Sequence, residues 1–536
     1  MGTATSIAPG HEVDLETERA ALARAHIAVD AKLDRIRGIA GGGADDASDE
    51  YIDAVVAATI DKLQHDLVVF GRIDDDAVWR VGLYGIDSVG EQLVIDWRAM
   101  FAEKFYQANF ADPLGLDRRV SYVGCIDDLM VEDFVTGGVS GSSPLMAELS
   151  RSRGASMRAA VATLQTEQDR LVRLDPDARL VLRGGPGTGK TVVGLHRAAW
   201  LVYNDGRVTA DRILVLGPSD RFLRFVSAVL PTLGEARIHQ TTLDRLLGPS
   251  ERTGDEAAWL EVLDDFETDL YRPAEVKVGL RRVREDEVAE LIGRLTSRAI
   301  PWRDRRKNLV SVLANRLDAP RPAVTEAIAD IAPAWTAKQV LARLRREGLD
   351  PKHGALMDEV RARFEGVPAR YSHVIVDEAQ DLSLLQMRAV MRRSPGLTLV
   401  GDDAQRSRPD GLGLGRAAAM LQVTPEVMAT AYRMSAEIAD WLNRYAASHG
   451  IDAVELDGIR PTGIAVTESA DAAGEERRLR VRWPNVARID HRDVWSHKGV
   501  EYDAVLVDPI GMPPSEVYLA ASRAAHELVV AIPRVG

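Results

Sequence analysis

"VLRGGPGTGKTVVG" (residues 181–194) runs from an apolar strand through a glycine-rich turn into an apolar helix. Gly184, Gly189, Lys190 and Thr191 stand at the G-x-x-x-x-G-K-T spacing of a phosphate-binding loop. Glycines let backbone N–H groups close around phosphate oxygens, and the helix that follows turns its positive dipole end toward them. Gly184, Gly185, Gly187, Thr188, Gly189, Lys190 and Thr191 are therefore the candidate nucleotide contacts. Lys190 is expected on the β and γ phosphates, and Thr191 on Mg²⁺. On this loop alone the nucleotide is ATP or GTP.

Two stretches downstream read as buried strands that deliver polar tips. "YSHVIVDEAQDLS" (371–383) ends in a carboxylate pair, in which Asp377 is expected to bind Mg²⁺ and Glu378 to orient and deprotonate the attacking water. "LTLVGDDAQ" (397–405) ends in Gln405, placed to sense the γ-phosphate. Further on come "ATAYRMSAEI" (429–438), "HKGVEYDAVLVD" (497–508) and "VYLAASRAAHELVVA" (517–531), and upstream "LQTEQDRLV" (164–172).

Bulk properties narrow the partners. A length of 536 residues allows several domains, and a net charge of −14 argues against a dedicated nucleic-acid coat while leaving room for a local basic groove. A single cysteine, Cys125, excludes an internal disulfide and a cysteine-based zinc site. With no signal-peptide pattern and no long apolar run, the expectation is a cytoplasmic protein without a membrane segment. Only nine of the 67 basic residues are lysines, so each lysine is more informative than usual.

The first 67 residues read differently. Leu15, Leu22, Val29 and Ile36 recur every seven residues, and Ile52, Val56, Thr59 and Leu63 form a second seam beyond "GGGADDASDE" (41–50). The pattern predicts an antiparallel helical hairpin whose tip carries Asp45, Asp46, Asp49 and Glu50. Residues 68–135 alternate as a small antiparallel sheet, and "VTGGVSGSSP" (135–144) reads as a linker.

The ordered motifs across 164–531 resemble those of the superfamily 1, UvrD/Rep-like helicase motors. The resemblance implies two RecA-like lobes and ATP as the nucleotide. By position it places Gln168 on the adenine base, Tyr432 stacked on adenine, Glu501 on the ribose, and Arg433 and Arg523 on the γ-phosphate. Departures bear on what the motor pushes. The segment "RSRPDGLGLGRAAAM" (406–420) lacks the aromatic residues that grip single strands in translocating relatives. Asp493 and Trp495 replace a Thr and a His of the DNA-contacting motif, and the gap between Arg433 and Trp495 is too short for a large second-lobe insertion.

The front end is similar to HelD-type proteins, through "GRIDDDAVWRVGLYGID" and "LVIDWRAMFAEKFYQANFADPLGLDRR", with Met100 where that family has proline. This resemblance implies an ATPase that binds bacterial RNA polymerase core and releases it from nucleic acid. Its N-terminal hairpin would enter the secondary channel, and a first-lobe insertion the main channel. Carboxylates at the hairpin tip would then probe the polymerase's Mg²⁺. The alternative is a superfamily 1 DNA helicase or translocase acting in repair or replication, with DNA otherwise a secondary partner.

The expected organisation is an α/β chain divided as 1–67 (helical hairpin), 68–150 (β region and linker), 151–247 and 369–420 (first lobe), 248–368 (helical insertion) and 421–536 (second lobe). Within the insertion, residues 275–310 carry ten basic and six acidic side chains. Arg303, Arg305 and Arg306 beside Trp302 are the candidate contact for DNA phosphates or an acidic channel.

Overall fold

The structure is a computed structural model that describes residues 13–40, 69–88, 90–122, 128–143, 145, 164–233, 235, 237–250, 255–296, 300–349, 352–367, 369–408 and 410–532. The acidic tip and the second seam of the expected hairpin lie outside these residues.

Short runs of β-branched and leucine residues, bounded by turns, build the first lobe. Its sheet is entirely parallel, in the order His239–Thr242, Ile213–Gly217, His373–Val376, Gly396–Gly401, Arg179–Gly184, Glu426–Met428. Continuous apolar strands suit a sheet covered on both faces, and Ile213–Gly217, His373–Val376 and Gly396–Gly401 are buried on both. The strand Gly396–Gly401 lies between the one that precedes the phosphate loop and the one that ends at Val376, so three functional loops leave the same carboxyl edge. The sheet runs on to Met428, past the expected boundary at 420, because Glu426–Met428 pairs with Leu182–Gly184.

The second lobe is a parallel sheet ordered Thr467–Ser469, Ala524–Ala531, Tyr502–Val507, Val486–Ile489. The helix Ala436–His449 and the helix Pro514–Ala521 pack into its core. Together with the first lobe this is the expected α/β architecture of two RecA-like lobes.

The N-terminal sheet has seven strands, in the order Ile86–Ser88, Glu91–Asp96, Val78–Gly82, Val69–Asp74, Arg118–Tyr122, Leu129–Asp133, Gly138–Gly141. All neighbours are antiparallel except Val78–Gly82 with Glu91–Asp96. The expected linker is corrected here: residues 138–141 of "VTGGVSGSSP" form the last strand, and the residues before them its hairpin turn. The helix Leu15–Ala40 lays Leu22, Ala25 and Val29 on this sheet against Val69, Val94 and Val120, so this part of its seam faces strands. Glu18 sits inside that contact at 0% exposure, receiving Arg72 at 2.7 Å, Arg80 at 2.6 Å and the Tyr122 hydroxyl at 2.7 Å.

The "VIDWR" block joins this sheet to the motor. Trp97 is fully buried against His196 of the phosphate-loop helix, with ring centroids 5.3 Å apart. Arg98 forms a fork on Asp96 and reaches Glu235 at 3.0 Å. Arg173 donates to the carbonyls of Trp97 and Ala99, and Thr166 donates to that of Tyr106. N-terminal sheet and first lobe thus share one apolar core.

The insertion is helical between Glu256 and Phe364, with one β-hairpin, Val276–Val278 and Arg281–Val283. The basic-contact expectation is corrected in part. Trp302 is 1% exposed, its ring against Tyr271 and its N–H on the Pro333 carbonyl, so it is core. Arg305 donates to the Ile300 carbonyl and pairs with Glu267, and Arg306 donates to the Ala332 carbonyl. These two arginines hold the insertion together, and only Arg303 of the three is exposed.

Candidate active site

The phosphate loop closes through its own backbone. Gly187 at φ +74° and Gly189 at φ +87° take left-handed conformations that side chains disfavour, and Gly189 caps the helix Lys190–Asn204. Thr188 donates from its hydroxyl to the Gly185 carbonyl at 2.9 Å. At Gly184 a Cβ would sit 2.7 Å from the Thr188 hydroxyl, and at Gly185 only 2.2 Å from Leu456 of the second lobe. The loop is therefore shaped from both lobes.

Lys190 is half-buried at the centre of the site and donates to the Gly185 carbonyl at 2.6 Å. Burial pulls its pKa down, while the charges of Asp402, Glu378 and Asp377 work to hold it up. The Thr191 hydroxyl donates to Asp377 Oδ2 at 2.7 Å, although the two residues sit on different loops of the sheet edge. Burial and the neighbouring Glu378 charge push the Asp377 carboxyl up. A hydroxyl and a carboxylate side by side are hard-oxygen donors of the kind that Mg²⁺ takes. Among the described residues no group of three or more His, Cys, Asp or Glu side chains forms a metal site, so Mg²⁺ here would need nucleotide and water oxygens as well.

Glu378 stands at φ +54°, a strained position for a glutamate, which turns its side chain into the cleft. Burial opposes its charge, but Lys498 and Lys190 win and lower its pKa. Lys498 comes from the second lobe and reaches Glu378 at 3.0 Å, Asp381 at 2.9 Å and the Gln405 carbonyl at 2.9 Å. Gln380 also donates to Glu378, at 2.6 Å.

Gln405 bridges the lobes. It donates to Asp402 at 2.8 Å and accepts from Arg523 at 2.8 Å. Arg523 is buried, and burial lowers its pKa. Arg433 pairs with Glu501 at 3.1 Å at the mouth of the cleft, close against Gly187. The Tyr432 N–H donates to the Gly187 carbonyl at 3.1 Å, which ties its backbone to the loop, and the residue is half-buried. Gln168 donates to the Thr188 carbonyl at 3.1 Å, and its side-chain oxygen caps its own helix through Gln165 N–H. Its amide is thus tied to the loop. Every sequence-predicted residue of the nucleotide site lies in or beside this one cleft. The hairpin-tip carboxylates fall outside the described residues.

Lys498, Asp381 and Asp402 were missed. Asp381 accepts from Ser407 and Arg408 N–H groups at 2.8 and 3.1 Å, and so ties the loop after Gln405 to the carboxylate strand. The signal for Lys498 was its rarity: it is one of nine lysines in an arginine-rich chain.

Residues 15–127 match the family model "DNA helicase IV HelD, N-terminal domain", and residues 168–408 match an AAA domain. Between them the two matches take in more than half of the chain. No curated protein sequence matches. Solved structures with similarity include the arterivirus nonstructural protein 10 helicase, at 12% identity over 69% of this chain and 63% of that one, TM-score 0.30. A PRRSV helicase is similar at 13% identity, 70% and 56% coverage, and TM-score 0.30. The arterivirus protein in complex with DNA is similar at 13% identity, 69% and 66% coverage, and TM-score 0.29. The chain thus spans less than two thirds of the length of the first of these. Among the described residues no helix is long and apolar enough to cross a membrane.

Proposed function

We propose that the chain is a HelD-type, helicase-like ATPase of the UvrD/Rep-like superfamily and that it hydrolyses ATP to release RNA polymerase core from nucleic acid. The observation that carries the chemistry is the convergence of Lys190, Thr191, Asp377, Glu378, Gln405 and Arg523 on one cleft between two lobes. Lys190 and the loop N–H groups hold phosphate oxygens, and Thr191 and Asp377 would hold Mg²⁺, whose charge would offset that of the phosphates. Glu378 takes the proton of the attacking water. Arg433 and Arg523 contact the γ-phosphate from the second lobe, so bond cleavage removes what draws the lobes together.

The polymerase reading is supported by the match of residues 15–127 and by the shared core that fixes this domain to the ATP-binding lobe. A direct DNA translocase has one observation in its favour: Trp495 is 39% exposed on the second lobe and offers a face for a base.

Two experiments test the proposal. Glu378→Gln is expected to lower kcat by about 10²–10⁴-fold while ATP binding persists; near-normal turnover removes Glu378 as the base. Steady-state ATPase of the protein alone, with single-stranded DNA and with RNA polymerase core, together with gel filtration, separates the partners. Co-elution with core and little stimulation by DNA is expected. Strong DNA stimulation without co-elution supports the translocase instead.

A further inference from the structure

Arg460 follows the two-residue strand Asp457–Gly458 and is 5% exposed. Its Nη2 donates to two main-chain carbonyls, that of Arg433 at 3.1 Å and that of Ala525. Its Nη1 meets Nδ1 of His526 at 2.9 Å, and since a guanidinium only donates, that ring nitrogen accepts. The two carbonyls belong to separate stretches of chain. One is Arg433 itself, and the other lies in the strand Ala524–Ala531, which begins directly after Arg523.

Backbone bonds reinforce the same junction. Ser435 N–H donates to the Ala525 carbonyl at 2.9 Å, and Ala436 N–H donates to the Arg460 carbonyl at 2.9 Å. On the far side His526 is stacked on Trp483, with centroids 4.8 Å apart and planes within 7°, and its Nε2 faces Asp503 at 3.8 Å. A buried guanidinium is costly to desolvate. What its bonds give here is a fixed spacing between two segments, each delivering one arginine to the cleft.

We propose that Arg460 is a positioning residue that sets Arg433 and Arg523 as one unit across the cleft. It touches neither nucleotide nor reacting atoms; it acts through the main chain of the residues that do. A planar fork can serve two carbonyls and a ring nitrogen at once, whereas a lysine ammonium at the same place cannot keep that geometry. The inference rests on reading Arg433 and Arg523 as γ-phosphate ligands.

The test measures ATP and ADP dissociation constants and kcat for the full chain as wild type, Arg433→Ala, Arg460→Gln and Arg460→Lys. Both Arg460 variants are expected to bind ADP normally, since the phosphate loop is untouched, and to lose the preference for ATP over ADP. Their kcat is expected to fall on the order of 10- to 100-fold, the scale of a misplaced catalytic group. If Arg433→Ala loses the ATP preference while both Arg460 variants keep it, the positioning role is overturned. If Arg433→Ala behaves as wild type, the γ-phosphate reading fails and this inference fails with it. Equal loss of ATP and ADP binding in the Arg460 variants marks a general packing defect and also overturns it. Should Arg460→Gln not fold, Arg460→Lys decides alone.

Discussion

Lys498 crosses the cleft to Glu378, the carboxylate proposed as the base. Its ammonium is held by Glu378 and Asp381, whose charges raise its pKa against the effect of burial. In return it keeps Glu378 ionised. Removing it with Lys498→Met takes away the largest attraction on that carboxyl, so the Glu378 pKa rises. The acid limb of the kcat–pH profile is then expected to move up by about one unit, the size of a close opposite charge. An unmoved limb would mean that another group limits the rate at low pH. At this scale the sequence was readable wherever residue type and spacing carry the chemistry, as in the loop, Asp377, Glu378 and Gln405. Arg460 gave no such signal, because its role depends on carbonyls that any residue could supply.

The element that follows Asp377 and Glu378 is tied to the insertion by charge. The helix Leu384–Met391 and the turn after it carry Arg388, Arg392 and Arg393, which close on Asp358 and Glu359 of the insertion's last helix, Gly354–Phe364. Arg363 joins them on Glu359 at 3.0 Å, and Glu256 accepts the Leu385 N–H at 2.8 Å. Burial alone would raise the Glu359 pKa, but the Arg388 hydrogen bond and then the Arg392 and Arg388 charges pull it down to about 2 from an ordinary 4.5. A depressed carboxyl stabilises the fold fully above its ordinary value, and that contribution drains away as pH falls from there through about 2. Glu359→Gln removes the one buried carboxylate on which the half-buried Arg363, Arg388 and Arg392 converge and is expected to cost about 3 kcal/mol in urea unfolding at pH 7. The gap to wild type should narrow as pH falls below about 4.5 and stay constant above it. A gap independent of pH would show that the side chain matters by its shape alone. This clasp could not be foreseen from a row of arginines, which reads as a solvated face until the partner helix is known. The same lack of tertiary context made Arg305, Arg306 and Trp302 look like a contact surface. Strand and helix identities were plain from apolar runs, whereas the hairpin at 138–141 was hidden because its glycines and serines look like linker.

At the scale of the whole molecule the N-terminal helix depends on one buried carboxylate. Glu18 neutralises Arg72 and Arg80 between helix and sheet. Glu18→Ala is expected to cost about 3 kcal/mol locally, read as faster amide exchange across Leu15–Val29, while kcat for ATP stays within about twofold. Unchanged exchange would mean that Leu22, Ala25 and Val29 hold the helix without it. Below that helix the attachment is of another kind. Trp97 and its neighbours lie in the same core as the phosphate-loop helix, and Arg98, Arg173 and Thr166 add polar ties between the sheet and the first lobe. Such a joint has no bearing in it. On the proposed function, the N-terminal domain and the first lobe would act as the stator of the machine, and each turnover would swing the second lobe as the rotor.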